Sequence, residues 1–243
     1  MNKHHPHPYL SLLALTLCLS CCSLLFAQFN RPPTANEPTA DVSSPSRILR
    51  VVLDAGHGGE DGGASAPDGT LEKDLNLAVT LLLRDMLVAN GIEVVLTRET
   101  DTLLYDRNVD YHGRKKALDF AERLRIAEAC TDSVFVSIHM NTYPRADCSG
   151  LQVWYSPNHA ASYPLAKHLQ ESATSLLQPE NNRDVKASGS QIYLLHHLKS
   201  PAVLVECGFL SNPTEARRLC DADYQKQLAF SLFLAITQAA LEI

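Results

Sequence analysis

Apolar positions along this chain follow two rhythms. Short, nearly unbroken runs rich in branched residues occur at 48–53 (Ile48-Leu49-Arg50-Val51-Val52-Leu53), 134–138 and 202–205. Runs of that length, bounded by turn-forming residues, read as buried strands. Between them the spacing changes. Leu75, Ala78, Val79, Leu82, Leu83, Met86 and Leu87 recur at helical intervals after Glu72, and Gly91 closes the run. The same reading predicts strands over 92–97 and 151–155 and helices over 114–130, 159–177 and 224–240. A short helix opens at Asn212-Pro213, where proline follows a capping residue. Residues 192–195 read as a short strand, and 98–113 and 178–190 as polar loops. Strands alternating with helices predict an α/β fold: a mostly parallel, twisted sheet flanked by helices on both faces.

The pattern differs at the N-terminus. Residues 10–27 are almost wholly apolar and come after a segment with Lys3, His4, His5 and His7. This predicts a signal peptide or membrane anchor over 1–27 and export of the remainder of the chain. Residues 28–47 are rich in Pro, Ser, Thr and Asn and read as a flexible linker. That leaves 48–243 as one catalytic domain, long enough for a substantial core.

Charge and cysteines narrow the chemistry. The net charge is −6 and no basic stripe is present, so nucleic acid is a poor partner. Cys130, Cys148, Cys207 and Cys220 form no CxxC pair, so a cysteine zinc site is not expected; they read as mostly free thiols.

The candidate chemistry lies where such folds put it, beyond strand ends. His57 follows the first strand in Asp54-Ala55-Gly56-His57-Gly58-Gly59. This loop is no phosphate cradle, because Asp61 replaces the third glycine and no Walker lysine follows. Glu72 opens a helix; alone it would be a first-turn acid favoured by the helix dipole. His139 closes its strand and could be a satisfied core histidine, but Asn141 beside it is a candidate supporting group. Glu206 directly follows a buried strand, a costly position unless the carboxylate is paired, protonated or near a metal. Two histidines and a carboxylate are a ligand set for catalytic zinc with an open position. A second glutamate there suits a general base. The expectation is a zinc hydrolase.

Four blocks carry a resemblance to a known family: LDAGHGGEDGGA at 53–64, LEKDLNLAV at 71–79, FVSIHMN at 135–141 and VLVECGFLSNPTEA at 203–216. The chain resembles the zinc-dependent N-acetylmuramoyl-L-alanine amidases of bacterial cell walls. The resemblance implies that His57, Glu72 and His139 bind Zn2+ and that Glu206 is the catalytic carboxylate. It also implies an α/β sandwich and a substrate of peptidoglycan glycan strands bearing stem peptides. Ala55 departs from the family's usual proline, and 141–150 is too short for the inserted helix that plugs the site in some relatives. A finer resemblance is to the spore-cortex, germination-specific subtype involved in making muramic δ-lactam. It rests partly on the Asn182-Arg183…Lys186 loop, with Arg183 as a substrate-binding candidate. It implies action outside the cytoplasmic membrane, with an activating partner or a downstream deacetylase. The competing readings are a vegetative wall amidase, another zinc hydrolase such as a carboxypeptidase, and a non-catalytic wall-binding module.

Overall fold

The computed structural model describes residues 50–106, 108 and 112–240. The expected leader at 1–27 and linker at 28–47 lie outside the described residues. Among those described, no helix is long and apolar enough to cross a membrane.

Six strands form one sheet in the order β2-β1-β3-β6-β4-β5. They are β1 (Arg50–Ala55), β2 (Glu93–Leu96), β3 (Ser133–Asn141), β4 (Gln152–Tyr155), β5 (Lys186–Ala187) and β6 (Ala202–Phe209). β1 is parallel to β2 and β3, and β3 to β6. β4 runs antiparallel to β6, and β5 is parallel to β4. The helices are α1 (Glu72–Ala89), α2 (Lys115–Glu128), α3 (Ser162–Leu176), α4 (Tyr193–His197), α5 (Pro213–Cys220) and α6 (Ala222–Ala240).

The two-residue period of the strands splits the core. Val51, Leu53, Val134, Val136, Ile138, Val203 and Val205 face one side, packing with residues of α1, α3, α5 and α6 such as Leu83, Leu169, Leu219 and Leu232. Val52, Phe135 and Ala202 face the other, with Ala127 of α2 and Leu194 and Leu195 of α4. Helices thus cover both faces, as the α/β reading expects. The chain leaves β1 for β2 on one side, while β3 lies on the other. That divergence is a topological switch point, and it opens a crevice beyond the carboxyl ends of β1 and β3.

Local expectations fare unevenly. Glu72 starts its helix as expected. Residues 192–195 do not form a strand: Tyr193–His197 is a short helix. A short apolar run does not reveal its own period. Here burial of Leu194 and Leu195 against Phe135 and Ala202 supports a helical turn. The loop over 178–190 contains the two-residue strand β5, paired to Trp154 and Tyr155. Cys130, Cys148, Cys207 and Cys220 are all free thiols.

Candidate active site

Past Ala55 the chain turns sharply. His57 has φ of 61°, and Gly58 and Gly59 come next at 141° and 53°. A left-handed non-glycine residue costs about 1–2 kcal/mol and needs support. Gly58 and Asp61 exchange backbone hydrogen bonds of 2.9 and 3.0 Å across the turn. The Arg123 Nη2 donates to the His57 carbonyl at 2.6 Å. Gly56 is required for another reason: a Cβ there would strike the ring of His139.

The structure brings His57, Glu72 and His139 together, their ligating atoms all within 4.8 Å of one another. His57 Nε2 lies 3.3 Å and His139 Nδ1 2.9 Å from the same oxygen, Glu72 Oε1. Each ligand is aimed by a neighbour. His57 Nδ1 donates to Asp61 Oδ2 at 2.9 Å, which turns Nε2 inward. The Ala64 amide donates to Glu72 Oε2 at 2.7 Å. The Met140 amide and Asn76 Nδ2 donate to Glu72 Oε1 at 3.1 and 3.3 Å. Glu72 is 3% exposed. Burial alone would raise its pKa, but the two imidazoles outweigh it and hold the carboxyl far below its usual range. Burial also opposes charge on His57; hydrogen bonds to Glu72 and Asp61 win and raise it.

Glu206 stands beside this cluster, in register with His139 across the β3–β6 pairing. Its Oε2 is buried and has no hydrogen-bond partner among the described residues. Burial pushes its carboxyl up to about 7; the His139 imidazole pulls the other way and Glu72 adds to the rise. A carboxyl poised near neutrality with an unpaired oxygen is suited to take a proton and give it back. β6 runs on past it to Phe209, so Glu206 lies within the strand and not directly after it as expected.

The donor set fits zinc. Two imidazole nitrogens and one carboxylate oxygen converge, their remaining polar atoms are held by Asp61, Ala64 and neighbours, and an unpaired carboxylate stands alongside.

Asn141 and Arg183 lie further out. Asn141 Oδ1 accepts from the Thr142 amide at 2.8 Å. Arg183 Nε donates to the Ser149 carbonyl at 2.8 Å, and its guanidinium lies 4.7 Å from the Phe209 ring centroid. Both occupy the same end of β3 and β6, and neither hydrogen-bonds the cluster.

Several contributors escaped the sequence reading. Asp61, noted there only as a break in a glycine motif, orients His57. Behind the loop, buried Arg123 bonds Asp54 Oδ1 at 2.6 Å, Asp119 Oδ2 at 2.8 Å and the Ala55 carbonyl at 2.8 Å. Arg98, assigned to a polar loop, is 3% exposed. It donates to the carbonyls of Ala55, Gly56 and Lys73. The signal for Arg123 was its spacing: Asp119, Arg123 and Ala127 form one buried helical stripe.

The chain as a whole is similar to known amidases. The germination-specific N-acetylmuramoyl-L-alanine amidase of Bacillus subtilis (strain 168) is 36% identical over 186 residues, covering 76% of this chain and 77% of that protein. The N-acetylmuramoyl-L-alanine amidase AmiA of Escherichia coli (strain K12) is 31% identical, covering 89% and 85%. Among solved structures, the CwlD amidase of Clostridioides difficile in complex with the GerS lipoprotein superposes with a TM-score of 0.76 at 38% identity, over 80% of this chain and 99% of that one. A sequence model of the N-acetylmuramoyl-L-alanine amidase family matches residues 51–238, and the chain belongs to that family of peptidoglycan-cleaving enzymes.

Proposed function

We propose that this amidase is zinc-dependent and acts on spore-cortex peptidoglycan, removing stem peptides ahead of muramic δ-lactam formation. The observation that carries the metal is the convergence of His57, Glu72 and His139 within 4.8 Å beside an unpaired Glu206. When bound, zinc supplies Lewis-acid activation of a water and of the amide carbonyl. The protein supplies the rest. Asp61 keeps His57 in one tautomer and Glu72 is locked by backbone amides, so the ligands need little reorganisation. Glu206 takes a proton from the attacking water and delivers it to the leaving nitrogen. The bond between the lactyl carbonyl of N-acetylmuramic acid and L-alanine breaks, leaving a carboxylate and a free peptide amine.

The cortex substrate is supported by the germination-specific relative. A protein partner is supported by the CwlD neighbour, which is in complex with the GerS lipoprotein. Residues 1–27 as a leader or anchor and 28–47 as a linker would hold the domain of 48–243 on the extracytoplasmic side. A vegetative wall role is the second reading.

The central test is metal analysis of the purified chain, alongside a muropeptide digest. One zinc per chain is expected, with activity abolished by chelation and both restored by zinc. His139→Ala should lose the metal, since three protein ligands leave no redundancy; full occupancy in that variant defeats the ligand assignment. Deletion of the gene in the source organism should abolish muramic δ-lactam in its spores. Normal δ-lactam would leave vegetative turnover as the role.

A further inference from the structure

Glu206 has a cross-strand neighbour that the mechanism leaves unused. Gln152 opens β4 directly opposite Glu206 in the antiparallel β4–β6 pairing. Opposed residues in such a pair share a face of the sheet, with Cβ atoms about 4.5–5.5 Å apart. The amide therefore rises on the same side as the carboxylate. Gln152 is 2% exposed. Its Nε2 donates to the Asp184 carbonyl. A carbonyl can only accept, so this bond fixes which end of the amide is nitrogen. The other end, Oε1, is buried with no hydrogen-bond partner among the described residues, as is Glu206 Oε2.

A buried polar atom left unpaired costs about 1–3 kcal/mol. Such atoms need an explanation, and a functional site is one. Here two of them are acceptors on facing positions of adjacent strands, one on the residue assigned to proton transfer. Hydrophobic side chains at 152 would avoid the cost, as Val153 and Leu151 do on either side. What is missing from the pair is a donor. The substrate bond this family cleaves is a secondary amide, which carries one N–H.

We propose that Gln152 Oε1 accepts the N–H of the amide to be cut and so presents its nitrogen to Glu206. This rests on the amidase activity and on Glu206 as the proton carrier. The chemistry balances. Water oxygen bonds to the carbonyl carbon, and its proton passes to Glu206. The nitrogen becomes pyramidal and basic as conjugation is lost. It takes that proton from Glu206, the C–N bond breaks, and the peptide leaves as an amine. Throughout, the original N–H stays on Gln152 Oε1, so the nitrogen lone pair is held toward the carboxyl. The anchor on Asp184 keeps the acceptor from turning away.

The test compares two substrates on the full chain: a muropeptide, and its depsipeptide analogue in which oxygen replaces the scissile N–H. Gln152→Met keeps length and removes the acceptor; Gln152→Glu keeps an oxygen there. Gln152→Met is expected to lower kcat/KM on the amide about tenfold, the scale of one neutral hydrogen bond, while the ester changes less than about twofold. Gln152→Glu should hold the parent amide-to-ester ratio more closely than Gln152→Met. The ratio is internal to each preparation, so partial unfolding or metal loss cancels. Equal losses on both substrates, or no loss on the amide, overturn the proposal and leave the amidase assignment standing. A zinc-loaded parent that cleaves neither substrate defeats both.

Discussion

Two buried polar clusters sit at the same end of the sheet, on either side of His139, and they are built on opposite principles. Behind the His57 loop, Asp54, Arg98, Asp119 and Arg123 are nearly inaccessible. Every side-chain nitrogen of both arginines donates, and both oxygens of Asp54 accept, from Thr97, Ser137 and Arg123. On the other side, Glu206 and Gln152 each keep an oxygen with no hydrogen-bond partner among the described residues. Buried charges that are fully paired rigidify their surroundings; buried acceptors left open raise the energy of the site until something donates to them. The first cluster aims the candidate metal ligands and the second awaits the substrate. Mutation should therefore separate them: the paired cluster should report in stability, the open one in turnover.

The largest expected effect is on the paired side. Arg123→Met removes one cation and strands two buried carboxylates, Asp54 and Asp119. Breaking a buried pair by deleting one partner costs ~3–5 kcal/mol. The same guanidinium holds the His57 carbonyl, so zinc affinity should fall as well, by roughly 10–100-fold, as when a ligand's outer partner is lost. Denaturant melts and metal titration read both. A variant as stable as the parent would mean the network is decorative.

The open side should behave inversely. Glu206→Gln is expected to retain zinc and reduce turnover by at least ~10²-fold, the usual contribution of a general base. Its melting temperature should be equal to or above the parent's, because an unpaired buried carboxyl is removed. Lost zinc in this variant, with zinc kept in Glu72→Gln, would exchange the roles of the two carboxylates. A large stability loss would show that Glu206 is paired after all, and the contrast would collapse.

That contrast also marks how far the sequence could be read. The strands carrying His139 and Glu206, and the one leading to His57, were legible because unbroken apolar runs announce buried strands, although β3 and β6 run on past those residues to Asn141 and Phe209. Glu72 was legible through the helical spacing that begins with it. The supporting cast was not legible. Arg98 and Arg123 belong to a residue type normally exposed, and much of what satisfies them when buried comes from the end of β1 and the turn after it, 42 to 69 positions away. Asp61 looked like a flaw in a phosphate-loop motif because its value lies in reaching His57, which no spacing rule encodes. Gln152 sat inside a predicted strand as one polar residue. Its significance depends on the antiparallel register that puts it opposite Glu206. The strand expected at 192–195 failed for a related reason: a short apolar run takes its form from what it packs on.

The smallest predicted effect is a slope in pH, and it tests whether the paired cluster owes its rigidity to charge. Burial would raise the Asp54 pKa, but Arg123, Ser137 and Thr97 outweigh it and hold the carboxyl below its ordinary value. A folded pKa below the unfolded one means that the unfolded chain binds the proton first as acid is added. Asp54 therefore stabilises the fold fully above the unfolded value, about 3.9 for a free aspartate. Its contribution is lost as pH falls toward the depressed folded value. Asp54→Asn cannot titrate, so the stability difference between parent and variant should be constant from neutral pH to about pH 5 and narrow below about pH 4. Denaturant midpoints for the two proteins across that range give the difference directly. A difference that stays flat into acid would mean that hydrogen-bond geometry, rather than the charge on Asp54, holds the loop behind His57.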